Sequence, residues 1–284
     1  MTTPGLFVTR LLAAKQGNSM SECEDAVYVL PPTPFDELID GAVTASICDG
    51  ATESVLAKDW AQLLASISAT RAHADPEFFE TGRVFEEFAK EVVNHWGPWV
   101  DEYESLRAAQ GRPLKWYEQQ KLSGSTFATL LSVRVTPIHL PDRHSAQQPP
   151  SAEWRWQAAA LGDSCLFHIR DDVPVQSFPV EQVEEFGTTP DLFGSRNHDS
   201  GLLTARTRFA EGLCRPGDRL LLMSDALAAW FMTADDCAAA TRELLEYSGP
   251  HDAAEFSAWL GGLRARRELR NDDVALIRID VEGR

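Results

Sequence analysis

The chain has 284 residues, 44% hydrophobic and 24% charged, an ordinary globular composition long enough to bury a core without a disulfide or metal to hold it. Twenty-six basic residues stand against 43 acidic ones, and a net charge of −17 repels nucleic-acid phosphates and anionic membranes, which excludes both as partners. No stretch reaches the ~20 apolar residues of a membrane span. The opening MTTPGLFVTRLLAAK is interrupted by Thr9 and Arg10, so it lacks the continuous apolar core of a signal peptide. Cysteines at 23, 48, 165, 214 and 237 are odd in number and form no CxxC; they read as reduced thiols in a cytoplasmic protein, neither a disulfide framework nor a zinc site.

In chain order, apolar runs at 6–13, 26–30 and 43–48 predict strands, with Pro31, Pro32 and Pro34 breaking the second from the third. Leu56, Trp60, Leu63, Leu64 and Ile67 then recur at helical spacing and make one apolar face. Further helix is expected over 76–120, broken at Gly97-Pro98. A strand is predicted at 125–135, and the proline-rich 137–153 (Pro137, Pro141, Pro149, Pro150) reads as a loop. Runs at 154–161 and 164–169 suggest a hairpin around Gly162-Asp163. Residues 171–215 read as irregular. A short strand at 219–223 is closed by Ser224-Asp225. Helices follow at 234–247 and 252–267, the second with Phe256, Trp259, Leu260 and Leu263 on one face, and a last strand at 274–279. There is no internal repeat. Short strands joined by turns as well as helices favour antiparallel sheets with helices outside over a doubly wound parallel sheet.

Carboxylates recur at strand edges: Glu24-Asp25 before AVYVL, Asp49-Gly50 after AVTASIC, Asp225 after LLLMS, Asp272-Asp273 before VALIRI, and Asp163 at the Gly162 turn. Each alone is compatible with turn chemistry. Strand ends in a two-sheet core tend to meet at one edge, however, and a like-charge pair at ~4 Å costs about 4 kcal/mol at an effective dielectric of 20. Divalent cations relieve such repulsion. An oxygen-only set without a Cys or His pattern suits Mg²⁺ or Mn²⁺ and not Zn²⁺. At Gly50 the missing side chain lets a backbone carbonyl approach an ion.

The succession GNSMSECEDA (17–26), SICDG (46–50), LSGSTFATLL (122–131), ALGDSCLFHI (160–169), GDRLLLMSDALAAWF (217–231) and NDDVALIRI (271–279) resembles the metal-dependent serine/threonine phosphatases of the protein phosphatase 2C family, nearest to a divergent bacterial branch. Each block is weak alone; their order and approximate spacing match from about residue 5 to the end. The resemblance implies an α+β fold, a four-layered α-β-β-α sandwich of two antiparallel sheets flanked by helices. It implies one catalytic domain over 1–284 with a helical insertion at about 76–120. It also implies two Mn²⁺ or Mg²⁺ ions, with a third loosely held. By position Asp49 matches the bridging ligand, the Gly50 carbonyl completes a set, Asp225 and Asp272 match the remaining direct ligands of the first ion, Glu24 and Asp25 hold waters around the second, and Asp163 helps bind the third. The activity implied is hydrolysis of phosphoserine or phosphothreonine by a hydroxide shared between two metals. The partners implied are a phosphorylated protein substrate and a cognate kinase.

Departures from the pattern are local. The first block usually reads Gly-x-x-Arg-x-x-Asn-Glu-Asp; here Met20 stands for the arginine that grips the substrate phosphate and Cys23 for the asparagine. Lys15 and Arg196 are substitutes to consider, with ordinary surface charge as the alternative. Ala51 replaces a histidine that serves some members as general acid. Glu53 either reaches the site or favours the next helix N-terminus. Asp273 is expected to be exposed. The seven histidines, with no His-x-x-x-His pair, read as structural or surface, and the eight tryptophans mostly as core. Arg264, Arg266, Arg267 and Arg270 read as helix-end cations, with substrate docking the other reading. Two further functions stay open: a catalytically weak or inactive module that binds a phosphoprotein or kinase, and a phosphatase for a small phosphorylated metabolite.

Overall fold

The computed structural model describes residues 4–51, 56–138, 153–186 and 190–283. The chain begins with strands β1 (Gly5–Ala13), β2 (Ala26–Leu30) and β3 (Val43–Cys48), then helices α1 (Ala57–Ala74), α2 (Gly82–Ala109) and α3 (Trp116–Leu122). Strands β4 (Phe127–Ala128), β5 (Leu130–Ile138), β6 (Glu153–Leu161), β7 (Cys165–Arg170), β8 (Val173–Phe178) and β9 (Phe193–Gly194) follow. The chain ends with α4 (Ser200–Arg206), β10 (Arg208–Cys214), β11 (Arg219–Met223), α5 (Asp225–Thr233), α6 (Cys237–Leu245), α7 (Ala253–Ala265) and β12 (Val274–Glu282).

Two five-stranded antiparallel sheets form, in the orders β1-β12-β11-β7-β8 and β10-β6-β5-β3-β2. Period-two alternation decides what each strand faces. Val43, Ala45 and Ile47 of β3 meet Leu220 and Leu222 of β11 and Ala275, Ile277 and Ile279 of β12 in the core between the sheets. The alternate residues point outward, and they are apolar too: Leu221, Met223, Val274 and Leu276 pack under α5 and α7. On the opposite side Cys48, Leu130 and Leu161 pack under α1 and α2. Both faces of the central strands are covered, which gives the four-layered α-β-β-α sandwich. Among the described residues no helix is long and apolar enough to cross a membrane. Cys23, Cys48, Cys165 and Cys214 are buried free thiols and Cys237 is half-buried.

The hairpin expected at Gly162-Asp163 does not form. β6 pairs with β5 and β10, and β7 pairs with β11 and β8 in the other sheet. Gly162, at φ 110°, turns the chain from one sheet into the other. The same Gly-Asp signal serves both geometries, and the runs' apolarity on both faces is the mark of layers rather than of a free hairpin.

Helix 82–109 runs through Gly97-Pro98 without the expected break. The carbonyl that Pro98 leaves unpaired belongs to exposed Asn94 and can be hydrated, while Trp96, Trp99 and Tyr103 stack across the site with centroids 5.0 and 5.6 Å apart. The break falls instead after Ala109, where Gly111 adopts φ 73°. The span 171–215 is not irregular but holds β8, β9, α4 and β10. The strand expected at 125–135 is two, split at Thr129, and β5 continues through Pro137 to Ile138; the rest of the proline-rich loop, 139–152, lies outside the described residues. A helix at 225–233, absent from the periodicity reading, precedes α6: Ala226, Leu227, Ala228, Trp230 and Phe231 are all buried, so no single apolar stripe marks it. Most tryptophans are buried or half-buried, but Trp116 is 75% exposed.

Gly261 sits inside α7 with open space where a Cβ would project. Gly261→Ala is expected to stabilise the protein by about 0.5–1 kcal/mol through helix propensity, read as a raised urea midpoint; an unchanged or lowered midpoint would contradict a regular helix at this point.

Candidate metal centre

Antiparallel pairing explains why distant carboxylates meet. Ala26 lies opposite Cys48, so the residue before β2 and the residue after β3, Asp25 and Asp49, stand side by side. Met223 lies opposite both Leu276 and Cys165, which brings Asp225 beside the start of β12, with Asp272 and Asp273, and beside the start of β7, with Asp163. Both sheets thus deliver their acidic ends to one edge. Asp49, Gly50, Ala51, Thr129, Asp163, Pro190, Leu192, Asp225, Arg270 and Asp272 line a cleft of about 200 Å³ there.

The cleft is held by short polar links. The Asp49 N–H donates to Thr129 Oγ1 at 3.0 Å, and the Thr129 N–H donates to the Asp49 carbonyl at 2.8 Å. Thr129 Oγ1 also meets Ser164 Oγ at 2.8 Å, tying the cleft across the two sheets. Ser224 joins β11 to β12 by accepting from the Ala275 N–H at 2.9 Å and donating its own N–H to the Ala275 carbonyl at 3.1 Å. Gly50 pairs with Ala128 in a bridge whose hydrogen bonds come from the flanking residues, Ala51 N–H to Phe127 and Thr129 N–H to Asp49, so Gly50's own carbonyl stays outside that ladder. A Cβ on Gly50 would come within 2.9 Å of the Ala57 and Glu24 carbonyl oxygens, so only glycine fits.

Asp273 is buried and not exposed as its sequence position suggested. Its two oxygens accept the backbone N–H groups of Lys15 (2.7 Å) and Glu24 (2.8 Å), fixing the segment that carries Glu24-Asp25 against β12. A carboxylate spent on backbone donors gives no signal in a sequence that distinguishes it from a surface acid.

The electrostatics of the edge are unfavourable as they stand. Burial pushes the Asp49 carboxyl well above the usual carboxylate range, and Asp25, Asp225, Asp272 and Asp163 add to the shift. Asp25 is also raised, by burial first, against a lowering contact from the Ser224 hydroxyl, and further by Asp273, Asp225 and Asp272. Burial, with Asp225, raises Asp163 to about 6, and burial and Asp225 raise Asp272. Oδ1 of Asp225 is buried without a hydrogen-bond partner, and the two buried oxygens of Asp25 have only the Ser224 hydroxyl near them. Orphaned buried carboxylate oxygens are costly, and an oxygen-only donor set of this charge fits a hard divalent cation such as Mg²⁺ or Mn²⁺.

Asp49, Gly50, Asp163, Asp225 and Asp272 are brought together in the cleft, with Asp25 buried beside them. Glu24 stands apart from the lining, its carboxylate paired with Lys15 Nζ at 3.2 Å. Arg196 does not reach the cleft: its guanidinium donates to the carbonyls of Gly124 (3.1 Å) and Leu122 (3.0 Å). Met20 is half-exposed in a helical turn whose carbonyls, with that of Ser21, receive Lys58 Nζ. Glu53 lies outside the described residues. The basic side chain that does line the cleft is Arg270. It lies beyond the end of α7, not within it, and its Nη2 pairs with Asp225 and, at 3.2 Å, with Asp272. Of the other arginines read as helix-end cations, Arg264 donates to the carbonyls of Asp272 (2.6 Å) and Ala14 (3.3 Å), holding the loop that presents Arg270.

Away from this edge, His168, Cys214 and Asp218 form a second buried group of ligand-type atoms. Asp218 is already saturated there: it accepts from Arg170 Nε (2.9 Å) and Nη2 (2.6 Å), from the Arg215 N–H (2.9 Å), and lies 2.9 Å from His168 Nε2. This is a closed ion-pair network between sheet ends, in keeping with a structural histidine.

No family model and no curated protein matches the chain. Solved structures do. The phosphatase domain of the cell fate determinant SpoIIE from Bacillus subtilis, solved with a fragment of its regulatory domain, matches over 100% of this chain and 66% of that one, with TM-score 0.52 and 14% identity. The chain has the protein phosphatase 2C fold. The serine/threonine phosphatase PstP/Ppp of Mycobacterium tuberculosis matches over 98% of this chain and 100% of that one, at TM-score 0.51 and 14% identity. A PstP catalytic domain in complex with 2 manganese ions matches to the same extent, at TM-score 0.51 and 16% identity. At such identity the likeness is one of phosphatase 2C architecture, and the acidic edge stands on its own geometry.

Carboxyls raised on folding make the folded state hold protons that the unfolded chain has released, so stability is lost as pH rises through the raised values. For protein stripped with EDTA, the unfolding midpoint in calorimetry is expected to fall between about pH 5 and about pH 7. Mn²⁺ at the upper pH should restore it, and Asp25→Asn should raise the metal-free midpoint while weakening that Mn²⁺ effect. A midpoint that climbs with pH in the metal-free protein would contradict the uncompensated cluster.

Proposed function

We propose that the protein is a metal-dependent phosphatase that hydrolyses phosphoserine or phosphothreonine in a protein substrate. The observation that carries this reading is the convergence of acidic strand ends from both sheets on one cleft, with a buried Asp225 oxygen lacking a partner. Asp49, Asp225 and Asp272, with the Gly50 carbonyl, are the residues to hold two divalent ions; Asp25 and Glu24 support the second, and Asp163 a third. When bound, such ions supply a water-derived nucleophile at neutral pH and neutralise phosphoryl charge.

The chain's own residues do the rest. Thr129 fixes the Asp49 backbone from both sides, and Asp273 fixes the Glu24-Asp25 segment, so the ligand oxygens keep their places as charge changes. Pro190 and Leu192 give the cleft one apolar wall. Ala51 cannot protonate the leaving alkoxide, so that proton comes from solvent. A cytoplasmic location and a cognate kinase belong to the same reading.

A second reading, a phosphoprotein-binding module with little or no turnover, is favoured by Met20 and Ala51 and by the guanidinium that sits on two of the proposed ligands. p-Nitrophenyl phosphate and a phosphothreonine peptide, assayed with Mn²⁺, separate the two. Turnover is expected, abolished by EDTA and reduced about 100-fold or more by Asp49→Asn. Tight calorimetric binding of a phosphoprotein without phosphate release would select the module instead.

A further inference from the structure

Four carboxylates line the cleft: Asp49, Asp163, Asp225 and Asp272. Two divalent ions would only neutralise them, Asp25 adds a further negative charge behind, and a loosely held third ion at Asp163 would leave little net positive charge for a phosphate monoester dianion. A cationic side chain at the cleft would add to it. Lys15 is paired with Glu24, Arg196 is tied to two carbonyls on another loop, and Lys58 caps the turn at Met20. Arg270 is the one basic side chain among the described residues that line the cleft.

Its geometry suits the role. The loop after α7 is held by Arg264 through the Asp272 carbonyl, while the Arg270 side chain remains 53% exposed. A single nitrogen, Nη2, meets both Asp225 and Asp272. The guanidinium thus stands where positive charge is most needed, on carboxylates that the proposed function assigns to metal. Arginine presents several donors in a planar fork suited to phosphate, and most of that fork is not consumed by these two contacts.

We infer that Arg270 is the phosphate-binding residue of this site and is released for that task when divalent metal takes over Asp225 and Asp272. The inference rests on the metal-phosphatase reading above. It makes metal and guanidinium competitors for the same oxygens, and it makes phosphate binding dependent on metal. Arg270 is then a residue that touches substrate, supplied from the other end of the chain than Met20.

The test is isothermal titration calorimetry on the full chain, first with Mn²⁺ alone and then with inorganic phosphate added to the Mn²⁺-saturated protein, for wild type, Arg270→Met and Arg270→Lys. Arg270→Met is expected to bind Mn²⁺ several-fold more tightly and phosphate about tenfold more weakly, the loss of a charge-assisted fork. Arg270→Lys should recover part of the phosphate affinity as a point charge. Circular dichroism confirms that the variants are folded. Mn²⁺ binding with phosphate affinity in Arg270→Met equal to wild type would overturn the role of Arg270 and leave the metal site standing. No Mn²⁺ binding by the wild type would overturn the metal site and the role together.

Discussion

Mutual repulsion among buried and half-buried carboxylates is the constraint that the functional edge of this molecule must meet. Antiparallel strands place Asp25 beside Asp49 in one sheet and Asp225 beside Asp163 and Asp272 in the other, and the packing of the sheets brings the two groups to one edge. Nothing about folding requires acids there: serine or asparagine would end the same strands without the cost. The fold accepts the arrangement because its stability lies elsewhere, in a core sealed between the sheets and two more beneath the helices. The edge is also stiffened where it is most stressed. Asp273, Thr129, Ser164 and Ser224 each tie backbone or side chain across strands, so the acids cannot relax by drifting apart.

Arg270 eases the cluster from one side. Its guanidinium lies on Asp225 and Asp272, while one oxygen of Asp225 remains without a partner. One positive charge is too little for this many acids. On the proposed reading the remaining imbalance would draw hard cations to the cleft, and the position of the arginine would link their binding to the handling of an anionic substrate.

Much of this was legible in the sequence, and the reasons differ residue by residue. Asp25, Asp49, Asp225 and Asp272 each abut an apolar run, so their strand-end positions follow from period and composition. Their convergence followed from the antiparallel layering that the short strands implied. Asp163 was correctly placed at a turn, but the turn joins two sheets, because a Gly-Asp pair encodes a reversal and not which strands pair afterwards. Asp273 was misjudged because its partners are backbone amides of residues near the other end of the chain. Lys15 and Arg196 are reasonable by charge, yet Lys15 is paired with Glu24 and Arg196 with the carbonyls of Gly124 and Leu122. Arg270 reads as a helix-end cation because it follows a helical pattern; the one local sign of another role is the adjoining Asn271-Asp272, which puts a basic residue two positions from a proposed ligand. Pro98 lies within a helix whose apolar face is buried on both sides of it and whose Trp96 and Trp99 stack across it, contacts that periodicity around a proline does not reveal.

The central claim is that this acidic edge is a divalent-metal centre. Anomalous diffraction from a crystal grown with Mn²⁺ addresses it most directly. The account predicts two strong anomalous peaks between Asp49, Asp225 and Asp272, with the Arg270 guanidinium displaced from both carboxylates. A map without such peaks at saturating Mn²⁺, with Arg270 still seated on Asp225 and Asp272, would contradict it.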